Sequence, residues 1–111
     1  MPLNARRAIE DETNDKLISA ASAWEIATKH RIGKLEEAGR LALDLPGIMG
    51  EQGFEGLPIT VDDAMRAGML PGHHRDSFDR MLIAQALARN LVLVSGEALF
   101  DRYGVRRLWQ E

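Results

Sequence analysis

The stretch LVLVS at residues 91–95 constrains the fold more than any other part of this sequence. Its four apolar residues form a continuous run, and a helix-like apolar stretch, SFDRMLIAQALAR at 77–89, comes just before it. A strand that is apolar on both faces is typical of a parallel sheet that helices cover on both sides. The sequence therefore predicts an α/β fold built on a short parallel sheet.

The rest of the chain continues this alternation of helices and short strands, without repeats or low-complexity segments. Helices are predicted at 2–12, 22–33, 61–70, 77–89 and near 97–103, with a turn at 71–76, and strands at 17–22, 56–60, 91–95 and 104–109. Residues 35–53, which include Pro46, are expected to form one or two short helices. With 111 residues, of which 45% are hydrophobic, residues 1–111 are expected to form a single domain.

Composition excludes several classes of function. The chain has no cysteine, so a disulfide framework, a thiolate metal site and a cysteine nucleophile are excluded, and any metal must bind to oxygen or imidazole. Neither a leader-like N-terminus nor an apolar run of membrane length is visible, which predicts a cytoplasmic protein without a membrane partner. The net charge of −3 excludes a generally basic surface, so nucleic acid would have to bind at a local site.

Three carboxylates lie at or near predicted strand ends. Glu25 follows the strand LIS, Asp79 is in the first turn of its helix, and Glu97 follows LVLVS. Side chains gathered at the C-terminal edge of a parallel sheet would repel one another unless a hard cation neutralised them, and Mg²⁺ and Mn²⁺ prefer such oxygen ligands. The pattern predicts metal-assisted hydrolysis of a phosphodiester.

Helix capping is the alternative explanation for the same acids. Three pairs share the spacing of a capping box, in which a polar cap residue precedes an acid by three positions, and each pair taken singly favours a simple cap. They are Ser22-x-x-Glu25, Thr60-x-x-Asp63 and Asp76-x-x-Asp79.

Asp79 differs from the other acids because it shares a helical face with Leu82, Ile83 and Ala86, and so is expected to point inward. A carboxylate on the buried side needs a partner. Glu25 lacks such an argument, and Glu97 is equally explained as an acid that the helix dipole favours.

Other polar and aromatic residues give weaker signals. The pair His73-His74 lies in a polar turn, which favours solvated side chains over metal ligands. Trp24 and Trp109 are expected in a core or an interface. Arg75 and Arg80 lie on either side of the helix start near Asp79, where they are either solvated or in contact with a phosphate group.

Several stretches together resemble the VapC toxins of the PIN-domain family over nearly the whole chain. They are SAASAWEIATKHRIGK, LPIT, LPGHHRDSFDRMLIAQALARNLVLVSGEALFDRYGV and the final LW. The resemblance implies a three-layer α/β/α domain that acts as a Mg²⁺- or Mn²⁺-dependent endoribonuclease in a type II toxin–antitoxin system. It also implies a VapB-type antitoxin as partner, and a homodimer or larger assembly.

The resemblance also implies roles for single residues. Glu25 and Asp79 match the second and third acidic positions of the family, and Glu97 stands where the family usually has an Asp after its fourth strand. All three would be catalytic metal ligands. Arg75 and Arg80 are candidates to hold the phosphate of the RNA substrate.

The N-terminus departs from the family pattern. Members of the family begin with an apolar strand that ends in Asp, the first metal ligand, whereas residues 2–16 resemble the helix that follows it. The resemblance therefore implies that a central strand is absent from these 111 residues, and that the chain alone is inactive or nearly so and associates with another chain. The alternative is a catalytically inactive PIN-like fragment that binds an antitoxin or itself.

Overall fold

The computed structural model describes residues 1–34, 38–72 and 74–110, and in this part of the chain every predicted helix and strand is present. The helices are α1 (Leu3–Glu10), α2 (Ala20–Arg31), α3 (Ala38–Gln52), α4 (Val61–Met69) and α5 (Ser77–Arg89), with a 3₁₀ helix at Ala98–Tyr103. The strands are β1 (Lys16–Ser19), β2 (Phe54–Leu57), β3 (Val92–Val94) and β4 (Arg106–Leu108). Within the described ranges, no helix has the length and apolar character needed to cross a membrane.

The chain divides into two compact units. The first unit consists of Met1–Asn14 and Thr60–Glu111, and the second of Asp15–Ile59. Each contains one two-stranded parallel sheet, β3 with β4 in the first and β1 with β2 in the second. The predicted α/β class and short parallel sheets are confirmed, whereas a single domain over residues 1–111 stays a prediction.

In the second unit, strand β2 lies at 54–57, two to three residues before the predicted strand at 56–60. It pairs with β1 so that Lys16 is opposite Phe54 and Ser19 is opposite Leu57. The next residue, Pro58, has no backbone N–H to donate, which ends the pairing there. The Lys16 ammonium also donates to the Gln52 carbonyl at 2.7 Å, which ties β1 to the start of β2.

Helix α3 contains a kink, as expected from Pro46. The backbone of Asp44, two residues before Pro46, is non-helical, with φ −150° and ψ 54°. The missing N–H and the ring of Pro46 disfavour a continuous helix through this position. The Asp44 carboxylate then accepts a hydrogen bond from the Gly47 N–H at 3.2 Å, which caps the second helical segment.

The core of the first unit lies between α5, the 3₁₀ helix and the β3–β4 sheet. Its buried residues are Ile83, Ala86, Phe100 and Val105, and partly buried leucines and Tyr103 pack against them. Leu93 faces this core, but Val92 and Val94 are exposed. The LVLV run is therefore less covered in this unit than predicted, because Val92 and Val94 are 46% and 39% exposed.

A buried ion pair joins α4 to α5. Thr60 and Asp63 form the predicted capping box at the start of α4. The Asp63 carboxylate also accepts hydrogen bonds from Gln85 at 3.1 Å and from both terminal nitrogens of Arg89 at 2.9 and 3.0 Å. The Arg89 guanidinium holds the pKa of Asp63 well below its usual range. This cluster fixes the angle between the two helices.

Candidate functional site

The start of α5 is the best-defined part of the candidate site. Asp76 is the N-cap, and its carboxylate accepts hydrogen bonds from the backbone N–H groups of Phe78 at 2.9 Å and Asp79 at 3.1 Å. The Asp79 carboxylate does not complete a capping box. Instead, His74 Nε2 lies 2.9 Å from Asp79 Oδ2, within hydrogen-bond distance. The capping alternative is therefore confirmed for Asp76 and wrong for Asp79.

Asp79 lies on the inward side of α5, as its spacing predicts. Its side chain is only 18% exposed, and Ile83 and Ala86, farther along the same face, are buried in the core. Holding a carboxylate in such a place costs free energy unless it has partners. The helix N-terminus and His74 both stabilise it there.

The prediction of a solvated histidine is wrong for His74, and His73 lies outside the described residues. The His74 side chain is 25% exposed, and its imidazole contacts Asp79. The five-residue separation of His74 and Asp79 crosses a turn, so helical spacing could not reveal the contact. The one sequence feature that indicates this contact is the run HHRD at residues 73–76, which places a histidine close to the start of α5.

Glu97 occupies the residue before the 3₁₀ helix, and its side chain is exposed. It makes no side-chain cap there, while its backbone N–H donates to Ser95 Oγ at 3.1 Å. The Trp109 ring packs against the preceding residue, Gly96, so closely that a side chain there would stand 3.2 Å from the ring and require it to shift. This packing fixes the backbone from which Glu97 projects, and it supports the prediction that Trp109 is a packing residue.

Glu25 lies in the second turn of α2, and the prediction of a Ser22–Glu25 capping box is wrong. Strand β1 ends at Ser19, which is itself the N-cap and accepts a hydrogen bond from the Ala21 N–H at 3.0 Å. Helix α2 thus begins two residues before the predicted start. The partly buried Glu25 carboxylate pairs with Lys29 Nζ at 3.2 Å, one helical turn later. Glu25 belongs to the second unit, whereas Asp79 and Glu97 belong to the first.

The two candidate phosphate-binding arginines have different surroundings. Arg75 is exposed. The Arg80 guanidinium donates to carbonyl oxygens of Ala67, Gly68, Leu70 and His74, at 2.6 to 3.4 Å. Three of these carbonyls lie at the end of α4, where backbone acceptors lack helical partners. Arg80 therefore caps α4 and ties it to the turn before α5.

Beside His74, the first unit has an open cleft of about 560 Å³. It is lined by Pro71, Gly72, His74, Leu99, Arg102 and Tyr103. The last three come from around the 3₁₀ helix, and His74 connects the cleft to Asp79. No local pattern in the sequence marks Arg102 or Tyr103 as neighbours of the turn at 71–76, because this relation depends on the tertiary fold.

The candidate metal ligands have suitable chemistry but do not form a ready-made cluster. In the described ranges, no three His, Asp or Glu side chains are grouped as a metal site. Mg²⁺ often binds through only one or two carboxylates, together with water and substrate phosphates. The partly buried Asp79 and the exposed Glu97 each carry carboxylate oxygens of the kind that such a site uses.

Comparison with known proteins identifies the family. The family model of the PIN domain matches residues 2–105. The chain belongs to the PIN-domain family. The chain is also 44% identical over 66 residues to Ribonuclease VapC16 of Mycobacterium tuberculosis, a match that covers 59% of this chain and 45% of that protein.

These matches confirm the resemblance on which the sequence analysis relied. The α/β fold with short parallel sheets is that of a PIN domain. The chain matches less than half the length of its VapC relative, so the activity, the substrate and the partners of this PIN domain are matters for a proposal.

Proposed function

We propose that this PIN-domain chain is the toxin component of a type II toxin–antitoxin system, an endoribonuclease that hydrolyses RNA phosphodiester bonds with Mg²⁺ or Mn²⁺. Glu25, Asp79 and Glu97 are the proposed catalytic residues and metal ligands. Family membership and the similarity to a ribonuclease of the VapC type support the reaction class.

The observation that carries the proposal is the position of Asp79. Its carboxylate is mostly buried at a helix start, yet Asp76 already caps that helix. The fold therefore does not need an acid at position 79 for capping, and a hydrophobic residue would cost less in free energy. A carboxylate kept in such a place and oriented by a histidine is typical of a functional site.

The side chains have distinct proposed tasks. A bound divalent cation would polarise the phosphodiester and offset the charge that develops during hydrolysis. Asp79 holds the cation, and His74 fixes the orientation of the Asp79 carboxylate. Arg75, which is exposed beside the start of α5, contacts the phosphate. Arg80 supports this arrangement by tying the turn at His74 to α4.

Partners are part of the same proposal. A VapB-type antitoxin would inhibit the enzyme, and a homodimer or larger assembly is its proposed state. The support is the resemblance to VapC proteins together with apolar surface on α4, where Val61, Met65 and Met69 are between 63% and 82% exposed. Their spacing of four residues places them along one side of the helix.

The test compares Asp79→Asn with Asp62→Asn. Both substitutions remove one carboxylate charge from the first turn of a helix, but Asp62 is exposed and, among the described residues, forms its ion pair with Arg66. We expect the assembled protein, rather than the chain alone, to cleave single-stranded RNA when Mn²⁺ or Mg²⁺ is added. Asp79→Asn should abolish cleavage and weaken Mn²⁺ binding in calorimetry, whereas Asp62→Asn should change neither. Full cleavage by Asp79→Asn would contradict the assignment.

A catalytically inactive PIN domain that binds an antitoxin or itself is the second candidate. The exposed side of α4 favours it, because this surface needs no metal chemistry to bind a partner. Absence of metal-dependent cleavage by the assembled protein, together with self-association that Met65→Lys disrupts, would support this candidate over the nuclease.

A further inference from the structure

The cleft beside His74 is large enough for a small ligand and is lined in part by polar and aromatic side chains. Its volume of about 560 Å³ lies within the range of roughly 300–1,000 Å³ that is usual for small-molecule sites. Gly72 forms one wall, with φ +98°, and a side chain there would come within 3.0 Å of the Tyr103 hydroxyl. The cleft therefore depends on a glycine at this position.

Arg102 has no acceptor on its guanidinium among the described residues, as is also true of Arg6, Arg7 and Arg75 elsewhere in the first unit. Five others have guanidinium groups engaged with acceptors: Arg66 with Asp62, Arg80 with backbone carbonyls, Arg89 with Asp63, Arg106 with Asn90 and Arg107 with Asp101. Arg102 is exposed on the cleft, and in the described parts of the chain no acceptor binds its side chain. Its guanidinium is free to bind an anion.

Tyr103 places an aromatic ring next to this charge. The ring packs partly against the core, which holds it in place, and it lines the same cleft. Stacking of a base on a fixed aromatic ring, with an arginine on the adjacent phosphate, is the usual chemistry of single-stranded RNA binding. The chain carries a net charge of −3, so RNA binding requires such a local site.

We propose that this cleft binds one nucleotide of the RNA, next to the bond that is cleaved. The base stacks on Tyr103 and Arg102 binds the phosphate. His74 lines the cleft and contacts Asp79, which places the bound nucleotide one side chain away from the proposed metal ligand. This inference rests on the proposed ribonuclease function and adds the part of the site that holds the substrate.

The test measures binding of a fluorescent single-stranded RNA by anisotropy in EDTA, so that cleavage is excluded. We expect Arg102→Gln and Tyr103→Leu each to raise the dissociation constant by about tenfold, as expected for loss of one stacked base or one phosphate contact. Tyr103→Phe, which keeps the ring, should bind like the parent protein. Arg6→Gln is the matched control for charge, because Arg6 is exposed on α1 and does not line the cleft.

An NMR titration with adenosine 5′-monophosphate and with inorganic phosphate locates the binding. The nucleotide should shift the amide signals of Gly72 and Tyr103, whereas phosphate alone should shift mainly the Arg102 side-chain signal. If Tyr103→Leu does not fold, Arg102→Gln and these shifts still decide the question, since Arg102 is on the surface.

Two results would overturn the proposal. One is RNA affinity that is unchanged in both Arg102→Gln and Tyr103→Leu. If the protein nevertheless cleaves RNA, the ribonuclease proposal stands without this subsite. The other is tighter binding of an acidic peptide than of RNA of equal charge, which would assign the cleft to a protein ligand. Binding of RNA with the expected pattern but without metal-dependent cleavage would support the subsite and reject the nuclease.

Discussion

Replacing Asp63 should destabilise the protein more than any other single change of a carboxylate in α4. The side chain is 2% exposed and accepts hydrogen bonds from Thr60, Gln85 and both terminal nitrogens of Arg89. Asp63→Asn keeps the shape but removes the charge, so Arg89 keeps its positive charge without a counter-charge. The amide also presents N–H groups to donors that need an acceptor.

The expected cost follows from the burial of the two partners. Removing one member of a buried ion pair typically costs roughly 3–5 kcal/mol, because the other charge is left without compensation. The Arg89 side chain is 30% exposed and can regain water, which favours the lower end of this range. We therefore expect Asp63→Asn to lower the free energy of unfolding by about 3 kcal/mol.

Urea unfolding followed by circular dichroism at neutral pH measures this change. Asp62→Asn is the matched control, because Asp62 is the adjacent residue and its ion pair with Arg66 is exposed, so its loss should have little effect. A cost below about 1 kcal/mol for Asp63→Asn would refute the reasoning, since that is the size of an ordinary surface effect.

The same ion pair gives the stability a defined pH dependence. The Arg89 guanidinium lowers the pKa of Asp63 in the folded state, so folding favours the ionised carboxylate. The stabilisation is fully present above the ordinary Asp pKa of about 3.9 and is lost as the pH falls below it toward the folded-state value. The difference between parent and Asp63→Asn should therefore narrow between about pH 5 and about pH 2. A constant difference over this range would contradict the assignment.

Three further predictions concern other parts of the chain. Glu25→Gln should depress metal-dependent RNA cleavage at saturating metal while thermal stability stays the same or rises. The residue caps no helix, and in the described part of the chain its carboxylate pairs with the half-exposed Lys29. Parent-like turnover would contradict this prediction. Ile83→Ala, at a fully buried core position, should cost about 2–5 kcal/mol in urea unfolding, and a smaller loss would mean that the core collapses into the space. The Asp101 carboxyl should titrate below the usual Asp range in carbon-detected NMR because Arg107 binds it, and Arg107→Leu should return its pKa toward the ordinary value.

The succession of helices and strands could be predicted from the sequence because it depends on local spacing. The apolar period in 77–89 gave α5 with its observed bounds, and the Thr60–Asp63 spacing gave the cap of α4. The inward direction of Asp79 followed from the same helical spacing, since residues three and four positions apart share a face.

Local spacing did not predict the bounds of an element where pairing with a neighbouring element sets them. The sequence SAAS offers two serines as the start of α2, and pairing of β1 with β2, which ends with Ser19 opposite Leu57, places the start at the first. Pro58 likewise sets the end of β2. Which residues before it are paired follows from the register with β1, not from the sequence. A cap residue can be recognised by type, whereas the choice between two candidates depends on where the preceding strand ends.

The sequence by itself determined that this chain is an α/β protein with acids near strand ends and helix starts and without thiol chemistry, because residue types and periodicity are local properties. Only the tertiary structure decided which partner each polar group has. It joined Asp63 to Arg89 across 26 positions, engaged Arg80 in capping α4, and placed Tyr103 and Arg102 in one cleft with His74. A helical period shows which residues share a face, but the group opposite that face comes from a distant part of the chain, and its position is fixed only when the elements pack.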